Sequence, residues 1–165
     1  MSNSSNIAQT RVEDLIEAIS GRRASPGAGA AGAVTLALAA ACTAKAVAIS
    51  LGHQPEDAVL RRSQVTLEAM ARFALAGADR DADTFAAFIK EHTSQAITQV
   101  IRSGDRLGRL IDVLSDVIEK AAPHIESNMT GDLVAARALT EAARTIQAAN
   151  SSEARDEKAK LNSEY

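Results

Sequence analysis

Three glycines near the start of the chain have the spacing that most directly suggests chemistry. Gly27, Gly29 and Gly32 match G-x-G-x-x-G, in which glycine lets the backbone approach the phosphates of a dinucleotide. That fingerprint follows a buried β-strand, but the apolar residues of 12–19 recur at the spacing of an amphipathic helix. The pattern therefore indicates a helix start at which small residues permit a close approach, either of a ligand or of another helix. Taken alone, it favours a close helix crossing.

Acidic side chains precede two further segments that have helical periodicity. The run at 79–83 resembles a calcium-binding loop, but its sixth position is Thr84, where such a loop needs glycine. We therefore expect Asp79 or Asp81 to cap a helix. Asp132 is expected to cap a later helix.

Histidine and cysteine show no spacing typical of a metal site or of a nucleophile. The histidines, His53, His92 and His124, lie far apart, so each is expected to be an exposed surface residue. Cys42 lies in an apolar run and is expected to pack there. A single cysteine provides no disulfide framework and no zinc site, which indicates a reducing, cytoplasmic compartment.

The composition is that of one helical domain. Alanine makes up about a fifth of the 165 residues, and there are three Phe, one Tyr and no Trp. A core with so few large side chains often gains stability by oligomerising, so we expect a homodimer or larger assembly. The net charge of −3 has mixed signs and provides no basic surface for nucleic acid.

Hydrophobic periodicity predicts six helices and no strand. They are expected at 11–20, 29–51, 55–77, 81–103, from 107 to Pro123, and at 132–150. Residues 1–10 are polar, lack the apolar segment of a signal peptide, and are predicted to be a disordered tail. Residues 11–150 form the predicted domain, and 151–165 a polar C-terminal tail that is either disordered or an exposed helix.

The second predicted helix, 29–51, is apolar or small on nearly every face. We therefore expect other helices to surround it as the central helix of an all-α bundle. It has the length of a membrane span, but it is mostly alanine, contains Lys45 and lacks flanking aromatic residues. These features favour a buried core helix over a membrane-spanning one.

Taken together, three segments resemble the cyclodeaminase half of formiminotransferase-cyclodeaminase and its stand-alone relative, methenyltetrahydrofolate cyclohydrolase. The family's glycine-rich helix start is matched by 25–31, and its Asp-x-Asp-Ala-x-x-Phe by 79–85. Its later Asn, Asp, Glu-Ala-Ala and Asn are matched, without gaps, by Asn128, Asp132, 141–143 and Asn150. Order and spacing agree over residues 11–150.

The resemblance implies an all-α homodimer that binds a tetrahydrofolate derivative near the glycine turn and the subunit interface. By position it gives catalytic roles to Asp132 and Asp81. It gives substrate-binding roles to Gly27, Gly29, Asn128 and Asn150. Neither a metal nor a cofactor other than the folate substrate is implied, and a stand-alone chain fits hydrolysis slightly better than deamination.

Several departures from the family pattern leave a second hypothesis open. Ala28 replaces a glycine, Ala30 and Gly131 replace serines, and a lysine-rich loop has become 52–56. These changes remove hydroxyl donors and cations that suit an anionic folate. The alternative is therefore a non-catalytic helical protein that keeps the fold for ligand binding or assembly.

Overall fold

The computed structural model describes residues 6–163, and over these residues the chain is helical with no strand. Its five α-helices are α1 (Val12–Ser20), α2 (Ala28–His53), α3 (Ala58–Glu91), α4 (Ser94–Ala121) and α5 (Thr130–Ser163). Each of α2, α3 and α4 packs on the helix that follows it, and α5 closes the ring by packing on α2. The result is a four-helix bundle with short connections, which confirms the all-α prediction.

Small residues bring α2 close to its neighbours. A Cβ added to Gly32 would lie 3.0 Å from Cγ2 of Ile146 on α5, so this glycine permits the close crossing that the sequence favours. α2 is the helix within residues 6–163 that is long and apolar enough to cross a membrane, but its inner face is buried against α3 and α5. This is the packing expected of a core helix in a bundle.

One side of α2 is not covered by the chain itself. Leu38 is 54% exposed, and Ala41, Lys45, Ala48 and Ile49 are exposed along the same face. We call these five residues the open stripe. The expectation that other helices surround α2 on every side is therefore wrong for the single chain, in which two neighbours cover two sides.

Helices α3 and α4 are longer than predicted, because the glycines expected to end helices lie inside them. Gly77 lies inside α3, where Ala74, Ala78 and Ala82 continue the buried face across it. One interior glycine costs only about 1 kcal/mol, which packing of this length outweighs. The break occurs instead at His92, which has φ 48°, and Thr93 then caps α4 by accepting a hydrogen bond from the N–H of Ala96.

Helix α5 continues well past the predicted domain boundary at residue 150. Ala154 and Leu161 are buried against Phe88 and Ile97, in a second apolar cluster at the end of the bundle. Residues 151–163 are therefore an integral part of the fold and not a separate tail. Their charged residues lie on the exposed face of an amphipathic helix.

The N-terminal segment is also attached to the bundle. Residues 1–5 of the expected disordered tail lie outside the described residues, but Ile7 is buried in the core within the short 3-10 helix Ile7–Gln9. The backbone N–H of Ile7 donates to Oδ1 of Asp79 at 2.6 Å. Asp79 therefore anchors this segment and does not cap a helix of its own.

Candidate functional site

The candidate site is a cavity of ≈ 360 Å³ where α2 begins. The other three bundle helices extend beyond this point, so the start of α2 faces a space enclosed by α3, α4 and α5. The cavity brings together four of the six site residues expected from the sequence: Gly27, Gly29, Asp81 and Asn150.

Asp81 lies directly over the first turn of α2. Its carboxylate lies against Gly29 and near the backbone N–H of Ala30, which favours the charged form. A Cβ on Gly29 would overlap this carboxylate, so the absence of a side chain at Gly29 is what permits the contact. Asp81 therefore faces the start of α2 from another helix, and the expectation that it caps a following helix in sequence is wrong, because α3 runs through it.

The environment of Asp81 favours its neutral form. Burial raises the pKa of the Asp81 carboxyl above its usual value, and the nearby N–H of Ala30 opposes that effect only in part. A carboxyl of this kind holds its proton at higher pH than an exposed aspartate does. It can therefore donate and accept protons nearer to neutral pH.

The remaining walls are apolar or acidic. Phe85 and Phe88 lie 6.3 Å apart between ring centroids, and the ring of His92 stacks on Phe88 at 5.4 Å. Glu153 and Glu157 contribute two further carboxylates, and the side chains that line the cavity include no lysine or arginine. The cavity therefore suits a ligand with a flat, electron-poor or cationic part.

Gly27 lines the cavity with its backbone, and no steric contact requires a glycine at this position. It precedes α2 with φ −129°, which any residue adopts, and an added Cβ would meet only the carbonyl oxygen of Ala24 at an ordinary 3.5 Å. Nearby, the Ser25 hydroxyl donates to the carbonyl oxygen of Ala82 at 2.9 Å. The turn before α2 is thus fastened beside Asp81.

Sequence reasoning missed the contribution of α5 beyond Asn150. Asn150, Glu153, Ala154 and Glu157 follow the i, i+3, i+4, i+7 spacing of one helix face, and all four line the cavity. This signal was present in the sequence. It was overlooked because the helix was expected to end at residue 150.

Asp132 and Asn128 lie elsewhere, near the opposite end of the bundle. Asp132 is eighteen residues before Asn150 on α5, which corresponds to about 27 Å of helix. Its carboxylate accepts hydrogen bonds from Nζ of Lys45 at 3.0 and 3.2 Å. Since α5 already begins at Thr130, Asp132 is not the cap that the sequence suggested, and exposed Asn128 lies in the short helix Ser127–Met129.

A second polar group fixes the start of α3. Asp57 accepts hydrogen bonds from the N–H groups of Val59 and Leu60, and its other oxygen lies 2.6 Å from Nδ1 of His124. The Leu60 bond, assisted by His124, lowers the pKa of Asp57. His124 is therefore not the free surface histidine expected, whereas the side chains of His53 and His92 are largely exposed.

The part of the chain that the structure describes contains no assembled metal site. Within residues 6–163, no three His, Cys, Asp or Glu side chains form a group that could hold a metal ion. The acids of the candidate cavity are spread along its walls.

The bundle matches a solved structure closely. It resembles the crystal structure of the formiminotetrahydrofolate cyclodeaminase from Thermotoga maritima with a TM-score of 0.86, over 92% of this chain and 81% of that chain. Sequence identity is 19%, so this likeness shows the fold. Among curated protein sequences none matches. The family model described as formiminotransferase-cyclodeaminase matches residues 11–160, nearly the whole chain. The protein therefore belongs to the formiminotransferase-cyclodeaminase family.

Proposed function

We propose that this protein is a folate-dependent one-carbon enzyme, of the methenyltetrahydrofolate cyclohydrolase or formimidoyltetrahydrofolate cyclodeaminase type. The observation that carries the proposal is the Asp81 carboxyl, with its raised pKa, inside the largely apolar cavity at the start of α2. The folate derivative is then the substrate, and acid–base chemistry needs no separate cofactor. The free thiol of Cys42 fits a cytoplasmic site of action.

Both reactions need a group that gives and takes up protons. In hydrolysis, water adds to the methenyl carbon, one carbon–nitrogen bond breaks, and the departing nitrogen gains a proton. In cyclisation, N10 attacks the formimino carbon and ammonia leaves after its nitrogen is protonated. We assign the proton transfer to Asp81, because a carboxyl with a raised pKa is suited to both directions.

The cavity walls support binding of the one-carbon end of the folate. The aromatic rings of Phe85 and Phe88 provide flat apolar surface, and Glu153 and Glu157 favour a positively charged methenyl bridge. Since no lysine or arginine lines the cavity, the anionic tail of the folate extends outward. Asn150 contacts a polar edge of the ligand in this arrangement.

The decisive experiment follows the absorbance of methenyltetrahydrofolate with purified protein, alongside ammonia release from formimidoyltetrahydrofolate. Asp81→Asn should lower turnover by about 10²-fold or more. Asp83→Asn, an exposed change two residues away on α3, should leave turnover unchanged. Folate binding without turnover would support the non-catalytic alternative, and absence of both would refute the folate proposal.

The assembly we propose is a homodimer formed through the open stripe of α2. Leu38 and Ile49 remain exposed there beside small alanines, so a second α2 can approach closely and cover apolar surface. Lys45 of the stripe lies seven residues after Leu38, and half-buried Ala31 lies seven residues before it on the same side of α2. An antiparallel pair centred on Leu38 therefore sets Lys45 of one protomer against Ala31 of its partner.

In such a dimer, Asp132 of one protomer lies near the cavity of its partner. Ala31 follows Gly29 by two residues, so the Lys45–Asp132 ion pair of one protomer would lie about one helical turn from the partner's cavity. We propose that Asp132, although distant from Asp81 in its own chain, contributes to the partner's site. Asn128, close to Asp132 in sequence, would approach the same cavity.

A further inference from the structure

A groove on the outside of α3 and α4 has no role in the proposed site. We call it the outer groove; its cavity of ≈ 300 Å³ is lined by Phe73, Ala76, Arg80, Arg106, Arg109, Leu110 and Val113. Phe73 is 61% exposed and Val113 is 44% exposed, although both are large and apolar. Exposed apolar side chains that share one groove favour an interaction surface over ordinary scattered exposure.

The outer groove is basic at one end. Arg80, Arg106 and Arg109 are exposed, and none of them forms an ion pair with another of residues 6–163. This contrasts with the arginines on α5, where Arg137 and Arg144 pair with acids of α4. Three unpaired cations beside an apolar floor favour an apolar partner with negative charges at its edge.

Helix α1 has the complementary chemistry. Its apolar residues, Val12, Leu15, Ile16 and Ile19, follow the i, i+3, i+4, i+7 spacing by which helices bind grooves. None of its residues is buried, and Ile16 is 63% exposed. Glu13 and Glu17 flank this face on one side, Glu13 pairs with Arg11 just before the helix, and α1 itself contains no cation.

Contacts before and after α1 in the sequence attach it to the bundle, but they bury none of its residues fully. Ile7 is fastened to Asp79 and Ser25 to Ala82, so the segment leaves and rejoins α3 within one helical turn. Leu15 packs against the core of its own chain and Ile19 is half-buried, whereas Val12 and Ile16 stay exposed and the outer groove of the same chain remains uncovered. At nine residues, α1 is about 13 Å long, enough to span the distance of about 10 Å along α3 from Phe73 to Arg80.

We propose that α1 of a second copy of this chain docks in the outer groove. Val12 and Ile16 would cover Phe73 and Val113, and the acids of α1 would lie against Arg80, Arg106 and Arg109. This contact uses surfaces other than the open stripe of α2. It does not depend on the proposed reaction, and together with the α2 contact it yields assemblies larger than a dimer.

Charge exchange tests the contact in solution by sedimentation over a range of protein concentrations. Glu13→Arg with Glu17→Arg, or Arg106→Glu with Arg109→Glu, should each weaken self-association about tenfold or more. All four changes in one chain should restore it, because the signs are complementary again. Arg102→Glu, exposed on α4 outside the groove lining, is the control and should have little effect. Failure of the four-fold variant to recover would overturn the proposal.

Cross-linking tests the same contact independently of its strength. In a Cys42→Ser background, Ile16→Cys protein mixed with Phe73→Cys protein should form a mixed disulfide under mild oxidation. Val134→Cys, exposed on α5, should not cross-link with Ile16→Cys. If Ile16→Cys bonds equally with both partners, or with neither, α1 does not occupy the outer groove. Circular dichroism should show unchanged helix content for every variant.

Discussion

At the scale of single residues, the candidate site depends on one glycine, because a carboxylate occupies the space that a side chain would fill there. Gly29 leaves the space in which the Asp81 carboxylate lies, near the N–H of Ala30. Gly27, two residues earlier, has no such neighbour. The two glycines of one motif therefore have different physical functions, which substitution can separate.

Gly29→Ala should displace the Asp81 carboxylate, because the new methyl group overlaps it. We expect folate turnover to fall about 10²-fold, the usual consequence of misplacing a catalytic group by about 1 Å. Gly27→Ala is the matched control and should keep most of the activity, since its methyl group meets only a carbonyl at ordinary distance. Equal losses in both variants would refute the special role of Gly29. Steady-state kinetics provides the measurement.

Asp81→Asn is expected to lower turnover, but the raised pKa of Asp81 predicts that the same change increases stability. The folded state binds the Asp81 proton more tightly than the unfolded state, so this contribution is full below the ordinary pKa of 3.8 and is lost as pH rises through the folded value. Asp81→Asn removes the cost of a buried charge. We therefore expect the variant to melt above the wild type at pH 7.

The difference should shrink as the pH falls below the ordinary pKa of 3.8, where the wild-type carboxyl is protonated in both states. Thermal melts of the two proteins at pH 7 and at about pH 3 measure it. A variant that melts lower than the wild type at pH 7 would show that the Ala30 contact outweighs burial.

At the scale of helices, interior glycines have effects that depend on what lies beside them. Gly77 in α3 and Gly104 in α4 are both inside helices. An added Cβ meets nothing within 4 Å at Gly77, whereas at Gly104 it would lie 2.6 Å from Nε2 of Gln147. Gly104 therefore has a packing function between α4 and α5 that Gly77 lacks.

Gly77→Ala should stabilise the protein by about 0.5–1 kcal/mol, because alanine restricts the unfolded chain and favours helix. Gly104→Ala should give no such gain and should destabilise the protein, since Gln147 is itself nearly buried and must move. Urea unfolding of the two variants and the wild type gives the comparison. A loss of stability in Gly77→Ala would mean that α3 needs the glycine for bending.

At the scale of the whole molecule, the open stripe of α2 predicts how two chains meet. A residue near the two-fold axis of an antiparallel helix pair lies opposite its own copy. In a Cys42→Ser background, Leu38→Cys should therefore form a disulfide-linked dimer, whereas Ile89→Cys, exposed at the end of α3, should not. Absence of the Leu38 cross-link would exclude an antiparallel pair centred there. Non-reducing electrophoresis measures the product.

The same dimer predicts that Asp132 affects activity, although within one chain Asp132 lies far from the cavity. Asp132 pairs with Lys45 near the surface, so Asp132→Asn should change stability by less than about 1 kcal/mol. If its carboxylate reaches the partner's cavity, turnover should nevertheless fall by about 10²-fold. Unchanged turnover would show that the ion pair has no part in the reaction.

The sequence by itself determined the helical class and the family resemblance. It named Gly27, Gly29, Asp81 and Asn150 as site residues, but together with Asp132 and Asn128, which lie elsewhere, and the roles of all six stay predictions. Helical periodicity and small-residue composition act locally, so they are readable from the chain. Helix ends were less readable: lone glycines suggested breaks at Gly77 and Gly104, where tertiary packing outweighs a cost of about 1 kcal/mol.

Only the tertiary structure decided which polar groups meet. Asp81 lies against Gly29 at the start of α2, Asp79 anchors Ile7, and Asp132 pairs with Lys45 about 27 Å along the bundle from Asn150. Each of these contacts joins residues more than fifty positions apart, so no local pattern encodes it. The length of α5 decided the rest, because a helix long enough to bury Leu161 also carries Glu153 and Glu157 to the cavity wall.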